Sequence, residues 1–163
     1  LLTLNTASAS KCNRPWKACQ CPTCAALRSY TEFMSPILST DAGRLRIGFL
    51  ICTEMWFTEH ARAYARAGIN VLAVPRATGT ASTEKWLAGG RAAAVMSGAF
   101  CLSSNRGGMD RAGFEWGGHG WIIEPEEGDV LGVTSADDPF VTVDIDLDVA
   151  TAAKETYPRY VAE

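Results

Sequence analysis

The feature that most constrains this chain is a short apolar run that ends on a cysteine and gives way to a helical pattern. Arg46-Ile47-Gly48-Phe49-Leu50-Ile51-Cys52 leads into Thr53-Glu54-Met55-Trp56-Phe57. Leu45 to Cys52, apolar and short, reads as a buried strand. Thr58 to Ala67 reads as a helix, with Thr58 as its N-cap and Gly68 just past its end. A cysteine at a strand-to-helix junction sits where backbone N–H groups and the positive end of a helix converge. Such a setting favours a thiolate and holds a developing oxyanion. Cys52 is therefore the candidate nucleophile. The competing reading is a buried structural thiol, since free cysteine is among the most buried residue types.

The pattern continues in the same style. Ile69 to Pro75 reads as a second strand, Thr83 to Gly98 as a helix, and Ala99 to Asn105 as a third strand. Ala77 to Ser82 and Gly107 to Gly118 read as loops. Gly120 to Pro125 and Asp129 to Thr134 form a hairpin around Glu126-Glu127-Gly128. Phe140 to Leu147 alternates with period two, as a half-buried strand does. Val149 to Thr156 begins a last helix, limited by Pro158. Strands alternating with helices and closing on a hairpin mean an α/β fold.

The chain has 163 residues, enough for one domain, with 47% hydrophobic and 20% charged residues. Its net charge of −3 gives nucleic-acid binding no electrostatic support. No apolar stretch reaches the ~18 residues a membrane span needs. The first residues, Leu1-Leu2-Thr3-Leu4, lack an initiator Met and the charged start of a signal peptide, which suggests a fragment, a processed chain or a partial gene product. With no secretory signature, a reducing, cytoplasmic compartment is expected.

From about Asp41 onward the chain resembles the later half of the nitrilase superfamily, the carbon–nitrogen hydrolases. Cys52 followed by Glu54 resembles the family's Cys-x-Glu nucleophile motif, and Phe57-Thr58-Glu59-His60-Ala61-Arg62 resembles Phe-Pro-Glu-x-x-Arg, with Thr58 in place of proline. Ala73-Val74-Pro75 matches the strand whose end lines the pocket. Arg91-Ala92 and Asn105-Arg106-Gly107-Gly108 resemble the family's Arg-Ala helix and the Asn-Arg-x-Gly after the next strand. Gly120-Trp121-Ile122-Ile123-Glu124-Pro125 with Gly128-Asp129-Val130-Leu131 resembles its hairpin, with Gly118-His119-Gly120 where serine is common.

The resemblance implies part of a four-layer α-β-β-α sandwich that associates into homo-oligomers. It implies hydrolysis of a small-molecule amide, carbamoyl group or nitrile by water through a cysteine thioester, with no metal and no organic cofactor, and with neither nucleic acid nor membrane as partner. Carried over by residue, Cys52 is the nucleophile and Thr53 supplies an oxyanion N–H. Glu54 would sit beside Cys52 and pair with Arg62, in support of the site or as a structural ion pair. The family's general-base glutamate lies further upstream than the 51 residues that precede Cys52. Neither Lys17 nor Glu32 sits in a context that matches the family's lysine or second glutamate. An incomplete, noncatalytic member that pairs with another chain is therefore the alternative.

Residues 1–40 read as an atypical cysteine-rich leader ahead of a 41–163 hydrolase portion, with a short helix at Ala25 to Phe33. Cys12, Cys19, Cys21 and Cys24 have spacing that could hold zinc, which makes a zinc-binding module a further alternative. Unligated thiols are the plainer reading. His60 is a surface or capping residue before it is a protease partner, and His119 a loop residue at a pocket mouth. Trp56, Trp86, Trp116 and Trp121 are packing residues before they are pocket walls. Asp137, Asp138, Asp144, Asp146 and Asp148 are ordinary exposed aspartates rather than calcium ligands.

Overall fold

The computed structural model describes residues 37–40 and 43–161. The chain divides into two units, Leu1–Met34 and Ser35–Glu163, and the described residues belong to the second. The expectations placed on Cys12, Lys17, Cys19, Cys21, Cys24, Glu32 and the helix at 25–33 lie outside the described residues.

A six-stranded sheet organises the unit, in the order Ile37–Thr40, Gly43–Phe49, Val71–Arg76, Phe100–Asn105, Trp121–Ile123, Val130–Val133. Its first strands are β1 (Ile37–Thr40), β2 (Gly43–Phe49), β3 (Val71–Arg76) and β4 (Phe100–Asn105). β2, β3 and β4 run parallel, and β1 closes antiparallel on β2. β7 (Trp121–Ile123) and β8 (Val130–Val133) add the antiparallel hairpin that the sequence predicts. The glycine-rich stretch expected as loop instead forms a second ladder, β5 (Gly107–Met109) with β6 (Glu115–Gly117). Asp110 makes this turn: its Oδ1 accepts from the N–H of Ala112 and of Phe114. Parallel neighbours need long crossovers, and helices supply them. α1 (Thr58–Arg66) joins β2 to β3, and α2 (Thr83–Ser97) joins β3 to β4.

The helices form for local reasons. α1 is alanine-rich, with Glu59 in its first turn and Arg66 in its last, each complementing the helix dipole. Phe57, not Thr58, is its N-cap, and Thr58 opens the helix. α2 ends on Gly98, whose φ of +56° is the left-handed cap that stops a helix. Two glycines inside α2 are expensive for a helix. Their reason is contact: a Cβ on Gly89 would lie 2.8 Å from Trp56, and one on Gly90 2.8 Å from Trp121 Nε1.

The sheet has two different faces. Leu72, Val74, Cys101, Trp121 and Ile123 pack under α1 and α2 in the main core. The opposite face carries Val71 and Phe100, covered by Ala150, Ile145 and Leu147. Ala150 and Leu147 belong to α3 (Leu147–Ala152), capped by Asp146 accepting from Asp148 N–H. Elsewhere on that face a cavity of about 670 Å³ lies against Phe49, Ala73, Leu102, Ile122 and Val141. The stretch from Phe140 keeps its alternation of exposed and half-buried side chains, yet it is not a strand, because no neighbour among the described residues offers it a ladder. The last helix also starts earlier than its pattern suggests and tightens into a 3-10 turn over Ala153–Glu155. Among the described residues no helix is long and apolar enough to cross a membrane.

Candidate functional site

Three parallel strands end at one edge, and ligands of open α/β sheets bind beyond such carboxyl ends. β2 is the first to leave. Its ladder to β3 runs through Phe49 opposite Ala73, and Leu50 N–H still donates to Ala73 O at 3.0 Å. Two residues later the chain turns hard. Cys52 has φ +51°, the one positive φ outside glycine among the described residues. A left-handed conformation costs a residue with a Cβ about 1 to 3 kcal/mol and persists only where its surroundings impose it.

Those surroundings are visible. The strand does not run to Cys52, as the apolar run suggests; Cys52 instead opens a 3-10 turn over Cys52–Trp56. Glu54 braces that turn. Its Oε2 accepts from Ile51 N–H at 2.7 Å, while its own N–H donates to Ile51 O at 3.1 Å. Before the turn, Tyr64 of α1 pins the strand end: its hydroxyl donates to Phe49 O at 2.8 Å and accepts from Phe49 N–H at 3.2 Å. Among the described residues the N–H groups of Cys52 and Thr53 meet no acceptor. The thiol itself is half-buried rather than sealed. The result is a reactive atom type, two open N–H donors and a strained backbone at one point.

β3 contributes the charge at this edge. Arg76 ends the strand and is only 7% exposed. Its guanidinium donates from Nε to Ser103 Oγ at 3.0 Å, from one terminal nitrogen to Thr78 Oγ1 at 2.6 Å, and from the other to His119 O. It lies 3.9 Å above the Trp121 ring. Burial lowers its pKa to about 10, against the opposing electrostatic pull of Cys52 and Cys101. Pro75, beside it, lacks an N–H to donate, which a central strand rarely tolerates. Here β2 has already turned away, so no neighbour among the described residues needs one on that side. β4 ends on Asn105, whose side chain clamps Thr78 by accepting from its N–H at 2.9 Å and donating to its carbonyl at 3.2 Å.

The expected Glu54–Arg62 ion pair does not form. The Glu54 carboxylate is committed to Ile51 N–H, and Arg62 reaches Val161 O at 2.7 Å. His60 packs edge-on against Phe57 at 5.8 Å. His119 serves through its backbone carbonyl, as the Arg76 acceptor. The tryptophans pack: Trp56 meets Trp86 at 5.3 Å, and Trp116 lies 4.7 Å from Phe114 and 4.6 Å from the Arg106 guanidinium. Cys101 is fully buried, and burial pushes its thiol up to about 12 despite the nearby Trp121 N–H and Arg76. It is a core residue. Among the described residues no cluster of three metal-ligating side chains exists. Arg76 is the residue that sequence reasoning missed. Its one signal was an arginine closing an apolar strand, Val71-Leu72-Ala73-Val74-Pro75-Arg76.

Comparison with known proteins fits this geometry. The family model for carbon–nitrogen hydrolases matches residues 20–155. The omega-amidase NIT2 of Homo sapiens is 29% identical over 121 residues, 74% of this chain and 44% of its own length. This chain thus spans less than half of that curated relative. A carbon–nitrogen hydrolase from Helicobacter pylori G27 has the same fold, with a TM-score of 0.65 at 21% identity, over 76% of this chain and 47% of that one. A mutant amidase from Nesterenkonia sp. AN1, with acrylamide added to its active-site cysteine, matches with a TM-score of 0.59 at 26% identity, over 72% of this chain and 45% of that one. With most of its length matched by the family model, the chain belongs to the carbon–nitrogen hydrolases, the nitrilase superfamily.

Proposed function

We propose that Cys52 is the nucleophile of an amidase-type site that hydrolyses a small-molecule amide. The observation that carries this reading is the left-handed backbone of Cys52 at the carboxyl edge of the parallel strands. A strained turn there lifts the thiol out of the sheet, next to N–H groups that meet no acceptor among the described residues. The amidase from Nesterenkonia sp. AN1, whose active-site cysteine takes acrylamide by Michael addition, supports a nucleophilic cysteine in this fold. The thiolate attacks the amide carbon, and the carbonyl oxygen gathers charge facing the Thr53 N–H. The carbon–nitrogen bond breaks, and nitrogen leaves as ammonia after taking the proton that the thiol gave up. Water then adds to the thioester, the carbon–sulfur bond breaks, and the carboxylic acid leaves with the thiol restored. Glu54 acts on this scheme from behind, by holding the turn rather than by moving protons.

A second reading is a catalytically incomplete segment whose acid–base groups come from elsewhere. Cys52 Sγ has no hydrogen-bond partner among the described residues, and the chain spans 44% of its human relative. Two measurements separate these readings. Ammonia release from small primary amides, abolished by Cys52→Ala, supports the hydrolase. Acrylamide labelling of Cys52 without any turnover supports the incomplete segment, and no labelling at all removes Cys52 from both.

A further inference from the structure

Three consecutive N–H groups ahead of Cys52 are each held by a different part of the fold. Leu50 N–H donates to Ala73 O, the last bond of β2 to β3. Neighbouring residues of a strand turn their backbone groups to opposite sides, so the N–H and C=O of Phe49 face away from β3, toward the β1 side. The described ladder of β1 does not reach them, because it ends with Ile37 opposite Arg46. The Tyr64 hydroxyl takes the place of that rung. It donates to Phe49 O at 2.8 Å and accepts from Phe49 N–H at 3.2 Å, so one oxygen satisfies both groups. Burial pushes the Tyr64 pKa up, so the hydroxyl keeps the proton it donates. Its ring lies against Gly48, where a Cβ would come within 2.7 Å of it. The third group, Ile51 N–H, is taken by Glu54 Oε2 at 2.7 Å.

We propose that Tyr64 is a positioning residue for the Cys52 nucleophile: its hydroxyl fixes Phe49, and with it the point where β2 ends and the Cys52 turn begins. The proposal rests on Cys52 being the nucleophile. The other two contacts do not do this job. The Glu54 bond is local, between residues three apart, and leaves the turn free to swing as a unit. The Leu50 bond is a single rung at the end of a ladder, where strands fray. The Tyr64 bonds tie the base of the turn to α1, across 15 residues of sequence. Without the hydroxyl, the N–H and C=O of half-buried Phe49 lose that partner, and leaving such groups unmade is costly. The strand end then relaxes, and the left-handed backbone of Cys52 relaxes with it, since such strain persists only where its surroundings impose it. The N–H groups of Cys52 and Thr53 move with that backbone. Hydrolysis depends on where the thiol and these donors stand relative to the attacked carbon, so their displacement costs rate rather than substrate binding.

The test is Tyr64→Phe in the full chain, which keeps the ring on Gly48 and removes only the hydroxyl. Amide hydrogen exchange, read by NMR, should speed up about tenfold at Leu50, Ile51 and Glu54 and stay unchanged at the amides that join β3 to β4. In the same variant kcat for ammonia release from a small primary amide should fall about tenfold, with KM within about twofold of the parent. A purely structural tyrosine would speed exchange in β2, β3 and β4 together, or leave kcat of the folded protein unchanged, and either result overturns the proposal. So does unaltered exchange at Leu50, Ile51 and Glu54. A parent chain that releases no ammonia fails the hydrolase reading, while the exchange comparison still decides whether the hydroxyl holds the turn. Should Tyr64→Phe not fold, Gly48→Ala, whose new Cβ displaces the ring, should give the same local rise in exchange, and the absence of that rise overturns the proposal.

Discussion

Cys52 holds a backbone conformation that costs any residue with a Cβ, whereas glycine adopts it freely. That difference can be measured without reference to activity. Cys52→Gly should be more stable than Cys52→Ala by about 0.5 to 1 kcal/mol in urea denaturation, because relief of the left-handed strain outweighs the extra unfolded-chain freedom of glycine. Equal stability, or the reverse order, would mean that the turn is unstrained. Much of this residue was legible in the sequence. The apolar run before it and the helical run after it place a bend near Cys52. The brace was not legible, because a glutamate two residues on is equally compatible with an ion pair to Arg62. Only the fold decides that Ile51 N–H takes the carboxylate first. Arg76 escaped for a related reason: its partners, Ser103, Thr78 and His119, are 27, 2 and 43 residues away, and no local pattern links them.

At the scale of elements, propensity and packing pull apart in α2. Alanine is a better helix former than glycine by about 1 kcal/mol, so Gly90→Ala would stabilise an isolated helix. In the protein the new Cβ would sit 2.8 Å from Trp121 Nε1, and Trp121 is itself held beneath Arg76. The variant should therefore lose about 1 to 3 kcal/mol of stability, the usual cost of overpacking. A gain in melting temperature would show that the helix can shift away from the ring.

The β7–β8 hairpin gives the acid-side prediction. Glu124 accepts from the N–H groups of Glu126, Glu127 and Asp129 at 2.7, 2.6 and 3.0 Å. Partial burial raises its pKa, but these backbone donors outweigh it, and the net position is below the ordinary 4.5. Between the folded and unfolded values the unfolded state binds more protons, so stability rises with pH there. The contribution is complete above pH 4.5 and is lost as the pH falls through the lower folded value. Glu124→Gln should flatten that acid limb in pH-dependent unfolding, and an unaltered limb would rule the clamp out. The hairpin and its turn residues were legible from Glu126-Glu127-Gly128. The clamp was not, and neither was the failed strand at Phe140, whose alternation reports one covered face and says nothing of a partner in the plane of a sheet.

Across the whole molecule, the C-terminal segment fastens α2 to the hairpin. Arg159, with a side chain 1% exposed, pairs with Glu126 at 2.5 Å and donates to Val95 O at 2.9 Å and Ala153 O at 2.6 Å. Lys154 donates to Gly98 O and, at 3.2 Å, to Ala150 O. The two cations thus add charge-assisted donors at the end of α2, on Gly98 O and on Val95 O, which also accepts from Gly98 N–H. They also crowd each other. Burial first, and the Arg159 charge second, lower the Lys154 pKa from 10.5 to about 8. Below that value the lysine is charged whether the chain is folded or not, so it adds no slope. Between about 8 and 10.5 the unfolded chain holds the proton and the folded chain does not, and stability must rise with pH. Lys154→Met removes the titrating group, so the difference in unfolding free energy between parent and variant should change across that window in the parent's favour. A difference that stays constant from neutral pH to 10.5 would mean that Nζ keeps its proton, and that the carbonyls of Gly98 and Ala150 outweigh the cost of burying the charge.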